Sequence, residues 1–340
     1  WRKPAGDTGR LRLSATLDGT PQVDAFSIAA TGLEAAGSLT IGSGNVLDLA
    51  VFERLKVANW LDVAARITGG NVPSVSVIGG RFDLRAAPTG GDGGSGGPLS
   101  VALDRLQITD SIAIDNFSGD FNTAGGIDGN FTGKLNGRAN VQGRVIPQGA
   151  RSAVRITSRD AGAVLAAAGV LKKARGGSLD LSLLPLKGTS GFTGQLKITQ
   201  INLLDAPVIA ALLNAVSIVG LLDELGGNGI AFSEVLVDFI LDQGQLTITA
   251  ASAVGPSIGL SMEGVYDWNT QEIAMQGVLS PVYLINGIGS ALTRAGEGVI
   301  GFNYEIMGPA AAPVVTVNPL SVLAPSFLRE IFRKPAPSKP

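Results

Sequence analysis

The sequence predicts a mainly β protein with a few helices: a long, twisted antiparallel sheet curled into a groove, taco-like or open-barrel-like in section, with the helices near the C-terminal end. Three observations lead there. Hydrophobic residues make up 45% of the 340, yet aromatics are 5% and charged residues 16%, so the apolar material is chiefly Ala, Val, Ile and Leu. Forty-seven glycines imply many turns. Short runs alternate apolar and polar residue by residue, the period of a strand with one apolar face. Many short strands joined by Gly-rich turns favour an extended sheet over compact α/β layers.

Residues 10–18 open the pattern, with Leu11, Leu13, Ala15 and Leu17 on one side. Runs at Ser38–Ile41, Leu47–Phe52, Ser74–Ile78 and Arg81–Arg85 repeat it at a spacing that suits an antiparallel meander. Residues 1–150 are therefore expected to be one extended β segment. The run 89–98, TGGDGGSGGP, is nearly free of side chains and reads as a flexible hairpin loop or linker. A calcium-binding Gly-Asp repeat would need tandem copies, and Asp92 stands alone. Alternation then resumes through Val101 and Leu103, Ile112 and Ile114, Phe117 to Phe121, and Phe131 to Val145.

A helix is expected over Ser158–Gly177, capped by Ser158 or Asp160, with Val164, Leu165, Ala168 and Leu171 as its stripe and Gly176-Gly177 as its stop. Lys172, Lys173 and Arg175 would suit its C-terminal dipole. Strands follow at Leu179–Leu183 and Gly191–Ile198. The stretch Asp205–Leu225 reads as a second helix, with Asp205 as cap, Pro207 in the first turn and a bend near Gly220. Residues 206–222 are uncharged but fall short of the roughly 20 apolar residues that span a bilayer. Burial of this helix against the concave face of the sheet is the favoured reading. Further expectations are a short helix at Tyr283–Arg294, strands at Val299–Met307 and Val314–Val317, an apolar helix from Pro325-Ser326, and a disordered tail at 333–340.

Composition narrows function. A formal charge of -2 argues against a nucleic-acid binder, which would carry a basic patch. With neither cysteine nor histidine, thiol chemistry, the usual general base and the commonest metal ligand are all missing. No metal or cofactor is expected. Asp223 and Glu224 are adjacent on a helix and point apart. No P-loop lysine, Rossmann fingerprint or Ser-x-x-Lys elbow is present. The chain reads as a protein other than an enzyme.

The organising stretch is Gly244–Pro281. Leu246 and Ile248, then Ile258, Leu260 and Met262, then Ile273, Met275 and Leu279 define three consecutive antiparallel strands, with a turn at Asp267-Trp268-Asn269. A meander this long must cover its apolar face. Either it packs as a sandwich or it stays open to an apolar ligand, and alternation alone leaves both readings open.

Gly264-x-Tyr266-Asp267-Trp268, then Gly277-x-Leu279-x-Pro281-x-Tyr283-x-x-Asn286, Gly308, and Val317-Asn318-Pro319-Leu320-Ser321-x-Leu323-Ala324-Pro325-x-x-x-Arg329 form an ordered set. It resembles the C-terminal region of the AsmA-like family, closest to the YhdP type, over residues 155–332. The resemblance implies a bridge-like lipid transfer protein whose curved sheet carries phospholipid acyl chains between inner and outer membranes. It further implies a periplasmic location and an inner-membrane helix upstream of Trp1, so that the chain is expected to be a segment of a longer protein. Groove-wall candidates are Leu181, Leu183, Phe192, Leu196, Ile198, Leu246, Ile248, Ile258, Leu260, Met262, Ile273, Met275, Phe302, Tyr304 and Ile306. For each singly, ordinary core packing is the favoured role. Phe327, Leu328, Ile331 and Phe332 of the tail helix are candidates for docking to an outer-membrane or periplasmic partner. The rival reading is an elongated scaffold that binds envelope partners without carrying lipid; an enzyme of envelope polysaccharide or lipid stands third.

Overall fold

The structure is a computed structural model and describes residues 6–16, 18, 22–88, 96–204, 206–216, 219–281 and 301–323. The chain divides into two units, Trp1–Ala153 and Val154–Pro340. Strands dominate both, and among the described residues there are three α-helices.

Among the described residues of the N-terminal unit, ten strands pair in chain order. They are β1 (Gly9–Thr16), β2 (Gln22–Ala30), β3 (Leu33–Ile41), β4 (Leu47–Val57), β5 (Leu61–Thr68), β6 (Ser74–Asp83), β7 (Pro98–Gln107), β8 (Ala113–Asn122), β9 (Asp128–Leu135) and β10 (Ala139–Gln148). Every pairing is antiparallel except β6 with β7, which is parallel. The expectation of a simple meander is corrected at that point. A parallel return needs a connection of about a dozen residues or more, and the Gly-rich stretch falls inside the 84–97 connection that supplies it. It is no hairpin. The two strands expected at Ser74–Ile78 and Arg81–Arg85 are one strand, β6, carried through Gly79 and Gly80 at φ +95° and +97°.

Register shifts recur in neighbouring ladders, between Ser14 and Ala15, Val23 and Phe26, Ala36 and Gly37, Phe52 and Leu55, and Val63 and Ala65. Each is a bulge, which adds a residue to one strand and increases the local twist. Repeated from strand to strand, they curl the sheet while leaving it open.

The C-terminal unit begins within β11 (Arg151–Ser158) and contains α1 (Ala161–Ala167), β12 (Ala174–Arg175), β13 (Ser178–Pro185), β14 (Phe192–Leu203), α2 (Pro207–Ala215), α3 (Val219–Gly226), β15 (Ile230–Leu241), β16 (Gln245–Val254), β17 (Ile258–Asp267), β18 (Glu272–Pro281), β19 (Phe302–Pro309) and β20 (Val314–Asn318). The long strands pair antiparallel in the order β11, β13, β14 and on to β20, and the short β12 pairs with the end of β14. The three strands β16–β18 form the expected antiparallel set. This sheet too is open.

The helices differ from the sequence reading. α1 is only seven residues long, because Gly169 at φ +77° stops it. Val170 donates to the Leu165 carbonyl at 2.9 Å across that turn, closing the helix with a glycine at the position after the cap. Gly176-Gly177 lies beyond β12 instead. Of the two cap candidates, Asp160 serves: its Oδ1 accepts from the Ala163 amide at 2.9 Å. The second helix is two helices rather than one bent at Gly220: α2 ends at Ala215 with Val216 as its C-cap, and α3 begins at Val219. Val216-Ser217-Ile218-Val219 is a run of weak helix formers. The N-cap of α2 is Ala206, with Pro207 at the first helical position. The strand expected at Val299–Met307 runs Phe302–Pro309. The expected helices at Tyr283–Arg294 and after Pro325, the tail at 333–340 and the cap at Asp205 lie outside the described residues.

One close approach fixes the centre of this sheet. Gly277 faces Met262 on one side and Tyr304 on the other, and the Tyr304 hydroxyl crosses it to donate to the Ser261 carbonyl at 2.7 Å. A Cβ at Gly277 would collide with that carbonyl and stand 2.7 Å from the hydroxyl. Gly277→Ala is expected to destabilise the unit by about 2 kcal/mol or more, and Tyr304→Phe by about 1 kcal/mol. Urea unfolding checks both; equal small effects would contradict the geometry.

Candidate functional site

In an antiparallel ladder, directly opposed residues point to the same face, and alternate residues along a strand do so too. Applied to the C-terminal unit, this rule places all fifteen groove-wall candidates on one face. Leu181 opposes Leu196, and Leu196 opposes Val237. Val237 opposes Ala251, which opposes Met262. The row continues through Gly277 and Tyr304 to Val317. Leu183, Phe192, Ile198, Leu246, Ile248, Ile258, Leu260, Ile273, Met275, Phe302 and Ile306 fall on the same side by the same pairings.

The reverse face carries the charged pairs of β11 to β17, alongside scattered apolar residues such as Leu184, Leu236, Ile240 and the buried Val265. Arg155 pairs with Asp180 through its Nε at 2.9 Å. Lys197 meets Glu234 at 2.7 Å, Gln195 donates to Asp238 at 2.9 Å, and Gln276 donates to Glu263 at 2.9 Å. β18 departs from this pattern, since it is buried on both faces from Ala274 to Ser280.

The candidates divide by burial. Ile198, Ile248, Ile258, Met275, Tyr304 and Ile306 are buried, with Ile258 at 0% exposure. They are core. Leu181, Leu183, Phe192, Leu196, Leu246, Leu260, Met262, Ile273 and Phe302 are half-buried, so their apolar surface is partly open. Helix α2 lies over part of this face and against β20. Val208, Ile209 and Leu212 of α2, with Val237, Leu260, Met262, Tyr304 and Ile306 below, line a half-open cavity of about 250 Å³ whose walls are almost wholly hydrocarbon. Four of the fifteen candidates line it.

The N-terminal unit carries an apolar face of the same kind, from which sequence reading had named no site residue. Phe26, Gly37, Phe52, Ala65 and Val77 oppose one another in turn, and Val101, Gly119, Phe131 and Gly143 extend the row. Phe26 and Phe52 meet edge to face at 5.7 Å, and Phe117 stacks on Phe131 at 5.3 Å. Phe26, Val63, Leu103, Phe117, Phe131 and Val141 are buried, whereas Leu11 and Leu13 on β1 are 66% and 61% exposed. The signal that would have found this row was the alternation already used to predict the strands.

The motif residues behind the family resemblance have local structural duties. Asp267 Oδ1 accepts from the Asn269 and Thr270 amides at 2.7 and 3.0 Å, which shapes the β17–β18 turn, and Trp268 packs edge-on to Tyr266 at 4.7 Å. Asn318 Oδ1 accepts from Leu320 at 3.1 Å, and Ser321 Oγ accepts from Asn303 on β19 at 2.8 Å. Phe327, Leu328, Ile331 and Phe332 lie outside the described residues.

For bond chemistry the described residues offer little. Glu224 accepts from Ser257 at 3.2 Å while Asp223 is exposed. Among the described residues no cluster of three or more acidic side chains could hold a metal, and no helix is long and apolar enough to cross a membrane.

Arg155 holds the Asp180 carboxyl below its usual range, chiefly through its hydrogen bond, with burial opposing it and the guanidinium charge adding to it. A depressed folded-state value means that this stabilisation is fully present above the unfolded-state value near pH 4 and fades as pH falls through the folded one. Both side chains are partly exposed, so Asp180→Asn is expected to lower stability by less than about 1 kcal/mol at neutral pH. The difference should vanish in acid, as paired urea titrations at the two pH values would show.

A scan against protein-family models, a search of curated proteins and a search of solved structures each return no match for this chain.

Proposed function

We propose that this chain is a segment of a bridge-like lipid transfer protein of the AsmA-like, YhdP type, acting in the periplasm without catalysis. In this reading phospholipid acyl chains ride on the apolar sheet face while headgroups stay in water, and the protein contributes to outer-membrane biogenesis by moving lipid between the two membranes. The observation that supports it is the separation of chemistries: fifteen apolar candidates share one face of the C-terminal sheet, nine of them only half-buried, and the ion pairs lie on the other face.

The mechanism is partition. Each methylene leaving a bilayer for water is worth roughly 0.8 kcal/mol, so a chain of about 15 carbons faces on the order of 12 kcal/mol unless another apolar surface receives it. Half-buried Leu, Ile, Phe and Met along a continuous face supply that surface. Helix α2 covers one part of it with uncharged side chains, where the hydrocarbon-walled cavity would accept the end of a chain.

Ile258 is unsuitable as a probe, since a carboxylate at a fully buried position would unfold the strand. Met262→Asp, in the cavity wall, and Leu196→Glu, on the more open part of the face, are the informative substitutions. Native mass spectrometry of the purified chain is expected to release bound phospholipid from wild type, and at least about tenfold less from either folded variant. A lipid-free wild type, or variants that retain lipid fully, would turn the assignment to the packed scaffold that binds envelope partners.

A further inference from the structure

The polar face of the N-terminal unit has one irregularity in its charges. Across five neighbouring strands, β4 to β8, Lys56 opposes Asp62, Asp62 opposes Arg81, Arg81 opposes Arg105, and Arg105 opposes Asp115. The signs alternate except at the parallel β6–β7 junction, where two arginines stand directly opposite. Like charges in that position are destabilising. The carboxylates nearby are already engaged. Asp62 accepts from Arg54 at 3.2 and 3.3 Å, Asp83 accepts from Arg85, and Asp115 accepts from Arg105 at 2.9 Å. Lys56 reaches Glu34 at 3.5 Å. Among the described residues the Arg81 side chain makes neither a hydrogen bond nor an ion pair, and its pull on the Asp62 carboxyl is the smallest of those acting there.

Beside this row opens a cleft of about 460 Å³, within the size range of small-ligand sites. Four basic side chains, Lys56, Arg81, Arg85 and Arg105, line it against two acidic ones, Asp62 and Asp83. Trp60 forms an aromatic wall, its ring edge-on to Phe82 at 5.6 Å.

We propose that this cleft is a binding site for a phosphate-class oxyanion, held by Arg81 together with Arg105 and Lys56. A guanidinium presents several N–H donors in a rigid fork that fits phosphate oxygens, and an anion between Arg81 and Arg105 removes the like-charge contact. The ligand is either free phosphate or the phosphodiester of a lipid headgroup, since both offer the same oxygens. The site does not depend on lipid being carried on the opposite, apolar face.

Isothermal titration of the full chain with inorganic phosphate, and separately with dihexanoylphosphatidylglycerol below its micelle concentration, tests it. Saturable binding is expected, weakened at least about tenfold by Arg81→Gln and changed by less than about twofold by Arg138→Gln, an exposed arginine in the β9–β10 turn. Tighter binding of the lipid probe identifies a headgroup site; equal or weaker binding identifies free phosphate. Should Arg81→Gln fail to fold, Lys56→Gln carries the same test, with an expected loss of about threefold or more. Absence of saturable binding by either probe at millimolar concentration, or equal behaviour of the cleft and Arg138 variants, overturns the proposal.

Discussion

The period of a strand is two residues, so a sheet keeps one chemistry on each face only while its register holds. Everything else in this protein depends on that constraint. Along the C-terminal sheet, the row from Leu181 through Leu196, Val237, Ala251 and Met262 to Tyr304 stays on one side across seven strands, even though β16 carries a bulge between Ile248 and Ala251. A slip of one residue in any of these ladders would exchange Leu196 for Lys197 and put a charge into the apolar row. Glycine opposite an aromatic ring helps to hold the alignment: Tyr304 lies over Gly277, Phe239 over Gly194 and Phe131 over Gly143. In each pair the ring fills the space that a side chain would take, a device that pins one strand against the next.

The same constraint explains why the two faces have different fates. On the polar face, ion pairs such as Lys197–Glu234 and Arg54–Asp62 are exposed and individually weak, and their contribution is to keep that face in water. The apolar face is unequally covered. Around β15–β19 it lies beneath α2 and is buried or lines a small cavity, whereas Leu181, Leu183, Phe192 and Leu196 remain half-exposed. An apolar row of that length left half-open is the arrangement that a partitioning ligand needs and that a fully packed sandwich lacks.

Much of the fold was legible from alternation, because side-chain period and strand geometry are the same fact. Strands such as β1, β4, β13, β14 and β16–β18 followed from it directly, whereas β2, β5, β11 and β15 were not singled out. What was not legible came from residues whose effect is non-local or conformational. Gly169 stopped α1 at Ala167, seven residues into the helix, where composition favoured a longer one. The parallel β6–β7 pairing depends on where the chain returns after the Gly-rich stretch, and local sequence does not encode that return. The separation of buried Ile258 from half-buried Leu260, two residues away on the same face, reflects what packs above each. The arginine pair Arg81–Arg105 is 24 residues apart in sequence and meets only because β6 and β7 run parallel.

The account rests on acyl chains touching one face of the sheet and not the other. Its most direct test is site-specific photo-crosslinking along β14, with a photoreactive residue placed in turn at Phe192, Thr193, Leu196 and Lys197, followed by detection of attached phospholipid. The account predicts adducts at Phe192 and Leu196 and none at Thr193 and Lys197, a pattern with the period of the strand. Equal labelling at all four positions, or none at any, would contradict it.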